Sequence, residues 1–565
     1  MAQPAAVAAR RGFSRSESEI VRAVSFEPDP ASPPPGGPQR SVNSGLLATH
    51  NYAAWQLARH AWTFNWDFNH DYGNAIALAT VDRWPAAASQ EHESARMTTP
   101  SNSPYTPDLR GFIEFLEKEH PEQIVRISKE VDPNFGVSGI LERLERDGKF
   151  PLVIFENVKG STIPLVANMH ASFERLRLGL GMEHGDVKAF VKECAARQAN
   201  PIDPVMVDKA PVQEEVFLGD KVDVEELPIC TYHEKDAGKY ITAGLAVMRD
   251  PETGINNVGI YRHMVHEKNL LGVQLSETAD GNVIWKKYER RGLPCPIAIV
   301  IGHHPAFFIG SLCFSTLDSD EIKIAGGMLQ RPVPLIRCKT IPLDVPADAE
   351  IVLECEIRPV ERRAEAPFGE YPGTYGPRRM NPVLEIKAIT RRKNPIYQNA
   401  FVGHADNLLL SGLIRTSFIE DTVKIACPTV RAVNVPRSGR FRFICYVAIE
   451  KMMEGEAKLA AMAAFVADPF LKFVVVVDHD VDINSDTDVL HAIATRVRAD
   501  TDTFMVPYAK GSPLDPASYD PAGGSNLITK MGIDATRKSN YPDEIAVPGL
   551  ESINMADFIP GYRNS

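Results

Sequence analysis

The 565-residue chain is poor in cysteine, and none of its eight cysteines falls in a Cys-x-x-Cys pair. That excludes the common zinc and dithiol motifs, and so large a chain has no need of a disulfide framework. Cys194, Cys230, Cys295, Cys313, Cys338, Cys355, Cys427 and Cys445 mostly lie in or beside apolar segments. They are expected to be reduced core residues of a cytoplasmic protein. Long hydrophobic runs are missing too: the longest, 459–467, is about half alanine and far too short to span a bilayer. The first residues lack the continuous apolar stretch of a secretory signal. Basic charge is in deficit, with 61 Lys and Arg against 73 Asp and Glu, a net charge of −12. Nucleic acid is therefore not expected as the main partner, because phosphate neutralisation needs a basic face. There is no P-loop and no internal repeat.

What is present is ordinary globular composition, 44% hydrophobic and 24% charged, in a length that suits roughly two to four domains. Residues 1–104 stand apart. They carry Pro-Pro-Pro-Gly-Gly at 33–37 and an aromatic patch at 55–72. The first 45 residues and 85–106 read as disordered. Arg and Ser content suits an organelle transit peptide, but Glu17, Glu19 and Glu27 oppose one. Alternatively the functional chain begins at Met97. The extension receives no role.

From 105 onward the expected class is α/β, in an α+β multidomain arrangement. Residues 105–235 read as an N-terminal α/β domain, with helices at 109–119, 137–147 and 185–197 and strands at 125–127 and 152–155. Residues 236–400 shift to short apolar or alternating strands, at 245–248, 258–261, 297–301, 351–357 and 383–389, which suggests a barrel-like β domain. A linking helix follows within 401–430, amphipathic over 406–426. Residues 431–565 return to α/β, with strands at 441–449 and 471–478 and helices at 455–466 and from the Ser485 cap to 496. The tail from 510 reads mostly as loop.

Three stretches can carry chemistry. In Arg362-Arg363-Ala364-Glu365-Ala366-Pro367-Phe368-Gly369-Glu370-Tyr371-Pro372-Gly373, two carboxylates flank a proline and a glycine able to take positive φ. Acids on a stiff turn beside arginines suit proton transfer, since neighbours move a carboxyl pKa. A solvated surface loop is the plainer reading. In Asn256-Asn257-Val258-Gly259-Ile260-Tyr261-Arg262, Asn257 can offer a carbonyl oxygen to a hard cation and Arg262 can fork onto a carboxylate. A turn residue and a surface ion pair explain them equally simply. In 311–328, Asp318, Asp320 and Glu321 can support a divalent cation, or form a solvated acidic loop. Gly326-Gly327 matches no standard nucleotide fingerprint.

The order of these stretches resembles the UbiD family of decarboxylases, prenylated-FMN enzymes that include the fungal ferulic/cinnamic acid decarboxylases. Asp236-Ala237-Gly238-Lys239-Tyr240-Ile241-Thr242, Gly403-His404-Ala405-Asp406-Asn407, 474–482 and 492–498 also fit. The resemblance covers roughly 108–540, and Glu-x-Pro-Phe-Gly-Glu is its most specific part. It implies a flavin-binding central domain in which Arg262 pairs with the substrate carboxylate and contacts the cofactor. Glu370 is implied as the acid/base that protonates the carbon left by CO2, with Glu365 pairing with Arg262. Asn257 and Glu321 would hold a divalent metal, usually manganese, on the FMN phosphate. Ile260 falls among the cofactor contacts, and Ser311 where a potassium ligand is placed. The family's third metal ligand is a histidine eighteen residues after the arginine; here that position is Asp280, a hard oxygen donor that cannot act as an imidazole does.

The resemblance thus implies reversible non-oxidative decarboxylation of an α,β-unsaturated or aromatic carboxylic acid. A flavin prenyltransferase would supply the cofactor. A homodimer or larger homo-oligomer is expected from the apolar 406–426 helix and the family, with no nucleic-acid or membrane partner. Tyr371 and 504–506 are candidate pocket walls. The rival expectations are a flavin- or phosphate-binding homologue that has lost catalysis, for which Asp280 speaks, and a scaffold recruiting partners through 1–104.

Overall fold

A computed structural model of the chain describes residues 105–559 apart from 277–278, 314–315, 519–525 and 546. The expectations for 1–104 lie outside the described residues. All eight cysteines are buried and unpaired. No helix among the described residues is long and apolar enough to cross a membrane.

The N-terminal layer is a four-stranded sheet in the order Ile124–Ile127, Leu152–Phe155, Leu165–Ala167, Tyr397–Gln398. Helices Leu109–Glu119, Gly136–Arg146 and Val187–Gln198 form where the apolar spacing places them. A seven-residue helix, Phe173–Gly179, adds to them; Ser172 caps it by accepting from Arg175 N.

The central layer is a nine-stranded sheet curled into a half-barrel. Its spine is the antiparallel pair Ile351–Glu365 and Arg379–Arg391, in register at Glu365 and Arg379. Strand Cys295–Ile301 is buried along its whole length, as a strand covered on both faces must be. The sheet draws Glu215–Leu218 onto Arg379–Arg391 from upstream, while Tyr397–Gln398 leaves for the N-terminal sheet.

Helix Ala405–Ala426 leads to a five-stranded C-terminal sheet ordered Val430–Asn434, Ile444–Ile449, Phe473–Asp478, Leu527–Ala535, Thr503–Lys510. Ser485 Oγ accepts from Asp488 N at 3.2 Å, which starts helix Asp486–Arg496. The tail is mostly loop, as expected, but it contributes one strand. Leu527–Ala535 lies between two other strands, parallel to Phe473–Asp478 and antiparallel to Thr503–Lys510.

Candidate active site

Strand Ile351–Glu365 ends on Glu365, and the chain then turns sharply. Ala366 has a φ of 81°, the Ala366–Pro367 peptide is cis, and Gly373 has a φ of 85°. The positive φ anticipated at Gly369 thus falls on Ala366 and Gly373 instead. Gly369 is required for closeness: a Cβ there would lie 2.2 Å from His233 Nδ1.

Asp236 holds this turn from outside. Its Oδ1 accepts from Gly369 N at 2.8 Å, and its Oδ2 accepts from His233 N at 2.9 Å. Ala237 N donates to Pro367 O at 2.9 Å. Phe368 is fully buried against Tyr240, with ring centroids 4.3 Å apart. Glu370 N donates to Thr374 O at 2.9 Å, so Glu370 is carried on a pinned backbone.

Arg262, just past strand Asn256–Ile260, reaches both acids. Its Nε donates to Glu365 Oε1 at 2.9 Å and its Nη1 to Glu370 Oε1. Its guanidinium lies 5.0 Å from the Phe368 ring centroid, within cation–π range. Asn381 Nδ2 donates to Glu365 Oε2 at 2.8 Å, which fills that carboxylate's second oxygen. Glu365 is fully buried and Glu370 is 6% exposed. The three side chains therefore form one buried cluster, not a solvated loop. The arginines adjacent in sequence play no part: Arg362 pairs with Glu289 and Arg363 with Glu267.

One cation faces two carboxylates here. Burial raises the Glu370 pKa, Arg262 works against that, and the Glu365 charge adds to it; the net direction is upward. Burial disfavours the Arg262 cation, but Glu370 and Glu365 outweigh it and hold the guanidinium above its ordinary value.

A second cluster lies on the same strand as the start of this approach. Glu321 opens helix Glu321–Leu329 and is 4% exposed. Its Oε2 accepts from Val258 N at 3.0 Å and from Asn257 Nδ2 at 3.3 Å. Asn257 Oδ1 is buried with no hydrogen-bond partner. Of the three neighbouring acids only Glu321 turns inward. Asp320 caps its helix through Ile322 N, and Asp318 bonds Thr316. Asp280 is the first residue of helix Asp280–Arg290, and burial raises its pKa. Asp280 and Glu321 both bear on the Tyr261 phenol, which burial already pushes up. Ser311 Oγ donates to Phe308 O at 2.9 Å and keeps its lone pairs. Ile260 is half-buried at the strand's end.

A carbonyl oxygen without a donor, beside a carboxylate, fits a hard cation. Gly272 allows His266 to pack closely beside Glu365: a Cβ there would stand 2.8 Å from His266 Nε2, itself buried without a partner, and 3.3 Å from Glu365 Oε2.

A cavity of about 160 Å³ opens beside Glu370, with Thr374, Pro377, Pro513, Leu514 and Asp515 among its walls. The wall from the C-terminal layer is thus 513–516, not 504–506. Met505 is exposed, and Phe504 packs edge-on against Phe465. Tyr371 is buried beneath, its hydroxyl 2.6 Å from Ser512 Oγ. Asn381, Asp236 and Asp515 were not anticipated from sequence.

Three family models match in succession: the N-terminal, Rift-related and C-terminal domains of 3-octaprenyl-4-hydroxybenzoate carboxy-lyase, over 113–194, 204–405 and 408–535. The chain is 35% identical over 422 residues to the anhydromevalonate phosphate decarboxylase of Methanothermobacter thermautotrophicus, covering 75% of this chain and 96% of that one. An evolved dimeric form of the UbiD-class enzyme HmfF from Pelotomaculum thermopropionicum, in complex with prFMN, superposes with a TM-score of 0.72. It is 36% identical, over 80% of this chain and 100% of that one. The apo 3,4-dihydroxybenzoic acid decarboxylase of Enterobacter cloacae gives a TM-score of 0.73 at 29% identity, over 81% and 99%. With this fold, this cluster and these matches, the chain belongs to the UbiD family and is a carboxy-lyase.

Proposed function

We propose that the chain catalyses the reversible non-oxidative decarboxylation of an α,β-unsaturated or aromatic carboxylic acid with prenylated FMN. The observation that carries this reading is Arg262 bonded at once to Glu365 and Glu370 in a buried cluster. Asn257, Glu321 and Asp280 would hold a manganese ion on the cofactor phosphate, Ser311 a potassium ion, and Ile260 and Arg262 would contact the flavin. The HmfF relative binds prFMN and, in its evolved form, is dimeric. That supports the cofactor, its supply by a flavin prenyltransferase, and a homo-oligomer of this chain.

Prenylated FMN, when bound, supplies the electron sink that an sp² carbon needs as CO2 departs. The protein's tasks are then positional. The remaining N–H groups of Arg262 orient the substrate carboxylate as a planar fork. Glu365, held by Asn381, fixes the guanidinium. Glu370 delivers one proton to the carbon that loses CO2. Burial of Phe368 and Tyr371 keeps water from competing for that position. The test is expression with and without a flavin prenyltransferase, followed by the flavin spectrum and a CO2-release assay on a panel of such acids. Release confined to the prenyltransferase-exposed protein is expected; none from either preparation would overturn the reading.

The raised pKa of Glu370 gives a pH dependence. The acid form persists above the ordinary carboxyl range, so protonation slows only as pH rises through the raised value. By the same linkage, this group favours the fold at pH below its unfolded pKa, and that contribution fades as pH rises through the folded one. Removing the Glu365 charge takes away one cause that raises Glu370 and leaves Arg262 and Arg379, which lower it. The descending limb of the kcat–pH profile should therefore move to lower pH in Glu365→Gln; an unmoved limb would separate Glu365 from the proton donor.

A further inference from the structure

Arg262 and the two acids come from distant parts of the chain, and one segment, 232–241, reaches both. At one end Tyr240–Ile241 pairs antiparallel with strand His263–Glu267. Ile241 stands opposite His263, the residue after Arg262, and Val265 N donates to Lys239 O at 2.9 Å. At the other end Asp236 grips the turn that carries Glu370. Its side chain is fully buried. Oδ1 accepts from Gly369 N at 2.8 Å, and Oδ2 accepts from His233 N at 2.9 Å and from Tyr232 N at 3.2 Å. Among the described residues no lysine or arginine pairs with it; its one ion-pairing contact is the His233 ring, with Nδ1 3.5 Å from Oδ2. A buried anion of this kind is tolerated because charge-assisted bonds from peptide N–H groups satisfy it. Those N–H groups belong to two separate loops, so the carboxylate sets the spacing between them.

Resting on the decarboxylase reading above, we propose that Asp236 is a positioning residue for the proton donor, holding Glu370 in place against Arg262. It bonds neither group directly and acts through the peptide of Gly369, the residue before Glu370. The two ends of the segment are separable. Backbone atoms make the Tyr240–Ile241 pairing, while strand register and Asn381 hold Glu365. Loss of the Asp236 carboxylate therefore leaves Arg262 on Glu365 and loosens the Glu370 side, where Ala237 N on Pro367 O remains. Substrate binding rests with Arg262 and proton delivery with Glu370, so the loss falls on kcat and spares KM.

The test measures kcat and KM for Asp236→Ala and Asp236→Asn in prenyltransferase-exposed enzyme, on the best acid of the panel above. Asp236→Ala should lower kcat roughly tenfold to a hundredfold, the scale set by a displacement of about 1 Å at a reacting group. KM should stay within a few-fold of the parent. Asp236→Asn keeps one acceptor oxygen but turns an NH2 toward peptide N–H groups on one side, so its kcat should lie between the two. Amide hydrogen exchange, followed by mass spectrometry on the same proteins, should quicken in 366–376 and stay unchanged in 263–267. An unchanged kcat, a KM that rises as far as kcat falls, or unchanged exchange in 366–376 overturns the proposal. Should Asp236→Ala fail to fold, Asp236→Asn decides by the same readings. Absence of CO2 from every acid in the parent enzyme overturns the decarboxylase reading instead, and the exchange of the two peptides then decides whether Asp236 holds the Glu370 turn.

Discussion

Replacing Glu370 by Gln is expected to leave the flavin bound and remove turnover, by a factor on the order of a hundred to ten thousand. The substitution keeps the shape of the side chain and an oxygen to accept from Arg262 Nη1. It also removes a like charge from beside Glu365, so the folded protein should not weaken. What it takes away is the exchangeable carboxyl proton at the mouth of the cavity. The measurement is CO2 release alongside the flavin spectrum and a melting curve. A variant with full activity would take Glu370 out of the chemistry; one that lost flavin would show that the loop's role is mainly structural.

Arg262→Ala should be more disruptive, because it touches both stability and catalysis. It leaves two buried carboxylates facing each other without their cation. Breaking a buried pair in this way costs about 3–5 kcal/mol. One carboxylate escapes part of that cost by taking up a proton, so the variant should be less destabilised at acid pH than at neutral pH. kcat/KM should fall sharply, since the fork for the substrate carboxylate is gone. Arg262→Lys separates the two effects: a point charge restores much of the stability, whereas one ammonium cannot bond Glu365, Glu370 and a substrate in the planar arrangement that the guanidinium allows. Melting at two pH values and kcat/KM for the three proteins check this. Unchanged kcat/KM in the alanine variant would remove Arg262 from the site.

Arg262, Glu365 and Glu370 were legible in the sequence because their types and order carry the family's chemistry. Their meeting was not, since Arg262 is 103 and 108 positions from the acids and Arg362 and Arg363 look like the closer partners. Asn381 was hidden for a similar reason: it faces Glu365 only through the register of two long strands. Asp515 sat in a Pro-, Gly- and Asp-rich tail that reads as loop, and nothing local says which acid there becomes buried. Strand 527–535 was missed because Lys530, Gly532 and Asp534 interrupt its apolar pattern. In place, Lys530 is buried with Nζ on Pro469 O at 2.8 Å. Gly532 makes room for the Phe504 ring, which a Cβ would approach to 2.1 Å. The long helices and fully apolar strands, whose periodicity is local, were found within a few residues of their ends.

The position of strand Leu527–Ala535 has a consequence for the protein's birth. Among the described residues it is the last strand in the chain, yet it fills an inner slot of its sheet. Until it arrives, Phe473–Asp478 presents a bare, valine-rich backbone edge, the kind of surface that invites pairing with a stranger. That edge stays uncovered until residues 527–535 have been synthesised, so a nonsense codon shortly before residue 527 should yield an aggregating product and not merely a shorter enzyme.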